Sequence, residues 1–378
     1  MKVLLVSGIW PPDVGGPATH VPELAGHLAL RGHEVEVLTT AGSDPAPESY
    51  PVHWVGRSLP PGIRHAVFAV RLARLARRAD VVYVVSVLTR GAFGATLVGR
   101  PVIVKLTDDP AYERARRLGL FAGDLDAFQA WPGGLRVRVL RRLRDTALRR
   151  VSLVLCPSEY LRGYALGWGL APEHVVVVGN ATPELPPSPT REKARTDLGV
   201  DGPLLAFAGR LGPAKALDVL LDALAELPEV TLLLAGDGPE RARLEARTVE
   251  LGLSGRVHFL GARSRAEVLE LFRAADAAVL TSAWENFPHT VVEALAVGTP
   301  VLATSVGGVP EIVREGENGL LVAPGNPAAF AAAVQRYLDD PGLQERLRSE
   351  AVSSVAHLRP KLVYERLETL LVQVASTP

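Results

Sequence analysis

The stretch "AFAGRLGPAKALDVLLDAL" (206–224) carries strand, loop and helix in one run. Its opening, Ala206–Gly209, is short and apolar, as a buried strand requires. Gly209, Gly212 and Pro213 then break the pattern. Leu217, Leu220, Leu221 and Leu224 follow at the spacing of one helix face. Two cations sit at the junction: Arg210 just after the strand and Lys215 near the helix start. Cations placed there suit a phosphate or diphosphate, reinforced by helix-terminal N–H groups. Taken as isolated residues, they read equally well as solvated surface charges. The loop is not a P-loop, since no G-x-x-x-x-G-K-[ST] occurs in it.

The same alternation extends in both directions. "KVLLV" (2–6), "EVEVLTT" (34–40), "VVYVVS" (81–86), "PVIVKL" (101–106), "SLVLCPS" (152–158) and "HVVVVGN" (174–180) read as strands, with helical stretches between most of them. The first helix shows Val21, Leu24, Ala25 and Leu28 on one face and can end at Gly32. After "ATPELPPSPT" (181–190), whose X-Pro steps favour extended chain, the pattern restarts. "PLLAFAG" (203–209), "VTLLLAG" (230–236), "RVHFLG" (256–261), "AAVLTS" (277–282) and "PVLATS" (300–305) are its strands. Short apolar runs alternating with helices predict βαβ units and parallel sheets. The expected fold class is α/β, with two Rossmann-like domains facing each other across a cleft. Their ligands would sit at the carboxyl ends of the strands.

Bulk properties exclude several classes. A chain of 378 residues, 48% hydrophobic, can bury two cores. Lys+Arg and Asp+Glu are both 41, so no global field points to nucleic acid. A single cysteine, Cys156, precludes an intrachain disulfide and fits a reducing compartment. No uncharged apolar run of about 20 residues is present to span a membrane. The cytoplasm is the expected location.

A second segment, "WENFPHTVVEALAVG" (284–298), raises a charge problem. From Asn286 to Pro310, Glu293 is the only Asp, Glu, Lys or Arg. A carboxylate in apolar surroundings is costly without a partner. A helix is expected to begin near Pro288–Thr290, Pro suiting a first helical position. Glu285 would then lie in the loop before it. Each carboxylate can accept two hydroxyl hydrogens, as a sugar diol offers. The alternatives are a buried Arg as partner for Glu293 and a surface position for Glu285. Elsewhere, Gly15 and Gly16 would let backbone approach a ligand, or simply form a turn. In "AGDGPE" (235–240) the glycines are expected to be structural and Asp237 to cap the next helix.

Together these segments resemble the family 4 (group 1) retaining glycosyltransferases of the GT-B fold, along nearly the whole chain. "GRLGPAK" is similar to the family's G-R-x-x-x-x-K element, and "ENFPHTVVE" to its E-x7-E element. "TSVGGVPEIVREGENGLLV" resembles the segment that follows, and "GGPATHVPELAGHLALRGHEVEVLT" the N-terminal Gly-Gly loop, helix and second strand. The resemblance implies an acceptor-side domain over 1–182, joined by a C-terminal helix 361–378, and a nucleotide-sugar-binding domain over 183–360. It implies that Arg210 and Lys215 hold the donor diphosphate, Glu293 the ribose and Glu285 the donor sugar. Asn286, Phe287, Pro288, Thr290 and Val291 would approach the sugar or phosphates, Ala262 and Arg263 the base, and Gly15 and Gly16 the donor from the other domain. No cofactor and no divalent metal is implied. The donor would be a UDP- or GDP-sugar, and the acceptor a glycan, a lipid-linked sugar or a small molecule in polysaccharide, glycolipid or envelope synthesis.

Three departures stand out. Ala216 replaces a frequent glycine, and Asn286 and Pro288 replace the commoner glycines of "EGFG". Where many members carry a histidine, this chain reads "KLTDDPAYERARRLG" (105–119). There Asp108 or Asp109 would take the catalytic-side position, Asp108 ahead, or else serve as a helix N-cap. Sugar-nucleotide epimerisation and non-catalytic nucleotide-sugar binding are the competing functions. Finally, "RHAVFAVRLARLARRAD" (64–80) and "LRVRVLRRLRDTALRR" (135–150) read as basic amphipathic helices, suited either to anionic lipid or to an ordinary core-and-water boundary.

Overall fold

The computed structural model describes residues 1–13, 15–96, 98–185 and 189–377. Pro186, Pro187 and Ser188 of the proline-rich segment lie outside the described residues. The chain divides into two compact units, Met1–Ala181 with Lys361–Pro378, and Thr182–Pro360.

In the first unit the strands are β1 (Lys2–Ser7), β2 (Glu34–Ala41), β3 (Val52–Gly56), β4 (Val81–Val85), β5 (Val102–Lys105), β6 (Leu153–Cys156) and β7 (Val175–Val177). They pair in the order β3-β2-β1-β4-β5-β6-β7, all parallel. Both faces are covered, so the central strands β1, β4, β5 and β6 read as near-continuous apolar runs. Val3 and Leu5 pack on one face with helix Gly16–Leu30; Leu4 and Val6 pack on the other with helix Pro61–Ala76.

The C-terminal helix Pro360–Ser376 belongs to the first of these cores, burying Val363, Tyr364, Leu367, Leu370 and Leu371. Polar contacts fix it. Glu368 accepts from His33 at 2.9 Å and is reached by His27 at 3.3 Å and Arg31 at 3.2 Å. Burial alone would raise the Glu368 carboxyl, but the bonds from His33 and His27 and the charge of Arg31 hold it below its ordinary range.

The second unit contains β8 (Leu204–Ala208), β9 (Thr231–Ala235), β10 (Val257–Gly261), β11 (Ala277–Leu280), β12 (Val301–Thr304) and β13 (Gly319–Val322). Their order is β10-β9-β8-β11-β12-β13, again parallel throughout. In both sheets the order reverses beside the first strand, which is the crevice that α/β sheets use for ligands.

Two strands escaped the sequence pattern, and both are at edges. β3 is largely half-buried and carries His53 and Trp54. β13 opens on Gly319, where an added Cβ would come within 2.1 Å of the Val301 carbonyl oxygen. Asp237 does not cap the next helix: Arg241–Glu250 is preceded by Glu240 without a side-chain cap, and Asp237 instead accepts from the Gly238 N–H at 2.7 Å. The turn leaves Asp237 too far upstream to reach the helix's first donors.

The glycines of that turn are governed by space. Gly236 has φ +140°, and a Cβ there would lie 1.8 Å from the Gly209 carbonyl oxygen. Gly236→Ala should therefore cost about 3 kcal/mol or more, from overpacking against backbone and an unfavourable φ together. Urea unfolding of the variant measures it; a loss below about 1 kcal/mol would show that the two loops can separate freely.

Candidate functional site

The candidate residues divide between the two units. In the second, β8 ends at Ala208 and its loop carries Arg210 and Lys215 around a 3₁₀ turn, Pro213–Lys215. The neighbouring β11 ends at Leu280 and leads to Ser282 and Glu285. Backbone bonds tie the two loops: the Ala283 N–H donates to Ala214 at 2.8 Å, and the Thr281 hydroxyl donates to the Lys215 carbonyl at 3.1 Å. Across this junction the Lys215 ammonium donates to Glu285 Oε1 at 2.5 Å, and the Ser282 hydroxyl donates to the same oxygen at 2.6 Å. The pair is poorly exposed, 22% for Lys215 and 12% for Glu285. Glu285 is thus not a surface loop residue. Arg210 is exposed and forms no ion pair with a described residue.

Helix His289–Ala296 follows, capped by Pro288 rather than begun by it. The cap lacks a side-chain acceptor, so the first-turn N–H groups have no side-chain partner at the cap. Asn286, Pro288 and Val291 are buried, while Phe287 and Thr290 are half-buried. Glu293 accepts from Arg265 Nε at 3.0 Å, its side chain 12% exposed. The arginine partner weighed for Glu293 exists, and at a half-exposed position where a ligand can share the carboxylate. Ala262 is exposed, and Arg263 pairs with Glu267 at 3.1 Å beside the Ser264–Glu267 capping box.

In the first unit, Gly15 is the N-cap of helix Gly16–Leu30, at φ +151°, and the first turn has neither a side-chain cap nor an acidic residue. The two aspartates after β5 take different places. Asp109 is fully buried and accepts from the Ala111 N–H at 2.8 Å, from Gln129 at 2.8 Å and from Arg144 at 2.6 Å. All of its capacity goes to holding the fold. Asp108 accepts the Asp109 N–H at 2.6 Å and lines a cavity of about 400 Å³. Burial pushes its carboxyl up to about 8.

The same cavity is bordered by Lys105 and by Ser86, which adopts φ +62°. Lys105 is 3% exposed, and its ammonium has no hydrogen-bond partner among the described residues. Burial brings it down to about 7. Arg114, on helix Pro110–Arg117, is exposed on the rim.

Two family models divide the chain between them. "Glycosyl transferase 4-like domain" matches residues 15–181 and "Glycosyl transferases group 1" matches residues 190–353. A D-inositol 3-phosphate glycosyltransferase of Streptomyces bingchenggensis is 30% identical across 90% of this chain and 80% of its own length. The chain belongs to the group 1 glycosyltransferases. An uncharacterized glycosyltransferase of Methanocaldococcus jannaschii is 29% identical over 94% of this chain and 93% of its own. Among solved structures, Anabaena HepE in complex with UDP aligns at a TM-score of 0.80 and 25% identity, over 99% of this chain and 100% of that one. Sucrose-phosphate synthase from Thermosynechococcus elongatus shares the GT-B fold, with a TM-score of 0.81 and 21% identity over 99% of this chain and 98% of that one.

Sequence reasoning missed three residues of this transferase's candidate sites: Ser282, Arg265 and Lys105. Ser282 and Arg265 act as partners of the two glutamates, and only the folded loops bring them there. Lys105 was readable as a charge ending an apolar strand. Among the described residues, no group of three or more His, Cys, Asp or Glu could hold a metal ion. The second basic helix is also less free than its sequence implied. Within Leu135–Leu148, Arg144 is buried against Asp109, and Arg141 donates to the carbonyls of Phe128 and Trp131. Just beyond, Arg149 donates to the Trp168 carbonyl at 3.1 Å.

The buried ammonium has a stability consequence. An unfolded chain keeps the Lys105 proton up to about 10.4. The native penalty is therefore complete below about 7 and is relieved as pH rises from about 7 to about 10. Lys105→Met should raise stability at pH 6 by on the order of a few kcal/mol and flatten that alkaline rise. Thermal unfolding at pH 6 and pH 9 checks both; a destabilised variant at pH 6 would show that Lys105 is satisfied in the fold.

Proposed function

We propose that this transferase moves a sugar from a nucleotide-sugar, a UDP- or GDP-sugar, to an acceptor hydroxyl with retention of anomeric configuration. The observation that carries the reading is the Lys215–Glu285 contact at the strand-order reversal, beside exposed Arg210 and an uncapped helix start. Anabaena HepE, similar in fold and solved in complex with UDP and with UDP-glucose, supports a donor of that class.

Arg210 and Lys215 take the diphosphate. Glu285 takes hydroxyls of the donor sugar, and Glu293, oriented by Arg265, takes the ribose hydroxyls. Asn286, Phe287, Pro288, Thr290 and Val291 line the sugar and phosphates, Ala262 and Arg263 the base, and Gly15 and Gly16 approach the donor from the first unit. As the glycosidic bond breaks, negative charge grows on the leaving phosphate. The two cations and the helix N–H groups stabilise it where it develops, the task a divalent metal performs elsewhere. The leaving phosphate takes the acceptor proton in a front-face substitution.

Residues 1–182 with the C-terminal helix form the acceptor side, and 183–360 the donor side. The acceptor enters the cavity of the first unit. There Asp108, protonated near neutral pH, donates to an acceptor oxygen while Asp109 keeps the helix in place. The acceptor is a glycan, a lipid-linked sugar or a small molecule of envelope or polysaccharide synthesis.

Lys215→Ala should lower turnover by about 10²–10³-fold, more than it weakens nucleotide-sugar binding. Transfer should persist in excess EDTA. Nucleotide release from a panel of nucleotide-sugars measures both, and product NMR reads the anomeric outcome. Turnover within a few-fold of wild type would remove Lys215 from the site.

A reversible contact with the cytoplasmic membrane face rests on helix Pro61–Ala76, where Ile63 and Val70 are 56% and 51% exposed among arginines. Exposed Arg74, Arg77 and Arg78 would each contribute about 1 kcal/mol near an anionic surface. Flotation with anionic liposomes should carry the protein at low salt and lose it when those three become Gln together. Wild-type protein left in the soluble fraction would exclude this contact.

A further inference from the structure

In the candidate donor site an anion sits on the group expected to bind the donor's anion. Lys215 donates to Glu285 Oε1 at 2.5 Å, and Ser282 fixes that oxygen from the other side at 2.6 Å. The site cannot relax away from this arrangement easily. Ser282 is fully buried, and its carbonyl accepts from the Thr304 hydroxyl at 2.6 Å. The Glu285 carbonyl accepts from the Gly308 N–H at 3.2 Å. Lys215 sits on a turn whose next residue, Ala216, is held at φ +45°. Both charges are therefore pinned from the backbone outward, close together and largely removed from water.

We propose that Glu285 stands in for the donor diphosphate, holding Lys215 while the site is empty, releasing it when a nucleotide-sugar arrives, and reclaiming it once the sugar has left. This rests on the donor-site reading above and adds regulation to it. A bare nucleoside diphosphate must take Lys215 from Glu285 and leaves that carboxylate, 12% exposed, without its cation. Such a stranded anion is penalised. A complete nucleotide-sugar imposes no such loss, because its sugar hydroxyls donate to Glu285 as the diphosphate takes Lys215. The exchange discriminates donor from spent nucleotide. After transfer the sugar hydroxyls depart, Glu285 competes for Lys215 again, and the grip on the nucleotide weakens.

The test is a double-mutant cycle read by calorimetry and stopped-flow dissociation. UDP, GDP and ADP are titrated into wild-type protein, and the one that binds most tightly is used throughout, with its glucose conjugate. Glu285→Gln keeps shape and hydrogen bonding but removes the charge. It should bind the bare nucleotide about three- to tenfold more tightly and release it more slowly by a similar factor. Affinity for the glucose conjugate should stay level or fall. The gain should vanish in the Lys215→Ala background, since Lys215 is the group set free. A gain that persists there would mean plain repulsion between Glu285 and the phosphates, and the exchange would be wrong. No gain in Glu285→Gln also overturns it. Ser282→Ala provides a second variant, expected to shift bare-nucleotide affinity in the same direction by a smaller factor. If no nucleotide binds wild type, or Lys215→Ala leaves binding unchanged, the donor-site reading itself fails, which is a distinct result.

Discussion

The candidate donor site depends on how closely backbones meet at the carboxyl edge of the second sheet. Gly209 donates its N–H to Ala235 at 2.9 Å, and Gly236 donates to Gly261 at 2.7 Å. A side chain at Gly236 would occupy the place of the Gly209 carbonyl oxygen. With the edge drawn together, the loop after β8 runs over β9 and back, Leu211 donating to Asp237 at 2.9 Å and Glu240 to Leu211 at 3.0 Å. Lys215 is delivered toward β11 by that path. The reversal of strand order on the β11 side gives Glu285 room to face it.

Much of this was legible in the sequence because parallel strands buried on both faces must be apolar throughout. Central strands such as β1, β4, β8 and β9 could not have been mistaken for polar loop on that ground, while the edge strands β3, β7 and β13 show where the signal weakens. β7 keeps only Val175–Val177 of a longer apolar run. β3 mixes His53 and Trp54 into an edge, and β13 begins on a glycine chosen for clearance from Val301. An edge strand buries less, so its composition is less constrained. The charges that matter were visible as anomalies, Glu293 alone in an apolar segment and Lys215 at a helix start. Their partners were not. Arg265 precedes Glu293 by a full strand and helix, and no local spacing announces that contact.

Asp108 and Asp109 show how adjacent residues of one type separate in role. The helix start at Pro110 sets the difference. Asp109 is its N-cap, with backbone in the extended region and side chain turned onto the Ala111 N–H. That orientation brings it to Arg144, whose guanidinium stacks 3.8 Å from the Trp168 ring. The Ala111 N–H, Gln129 and Arg144 together satisfy this buried carboxylate. Asp108, one residue earlier, lines the cavity and forms no ion pair with a described residue, the charge of Arg116 being the least of the influences on it. Desolvation then dominates and favours its neutral form. A cap and a candidate acid thus follow from the same turn.

The candidate sites of the two units handle buried charge in opposite ways. In the second, each glutamate of the "ENFPHTVVE" segment has a cation already in place, Lys215 at 2.5 Å and Arg265 at 3.0 Å. On the proposed reading, a donor exchanges these partners as it binds. In the first, Lys105 is buried without a hydrogen-bond partner among the described residues, and burial favours the neutral form of Asp108. That cavity presents polar groups that a polar ligand can satisfy. A prepaired site resists the charged product that resembles its substrate; an unpaired site admits any guest of suitable polarity. For a transferase, strict control is needed where the nucleotide must be both captured and released, and on the proposed reading that is the side where the charges are paired.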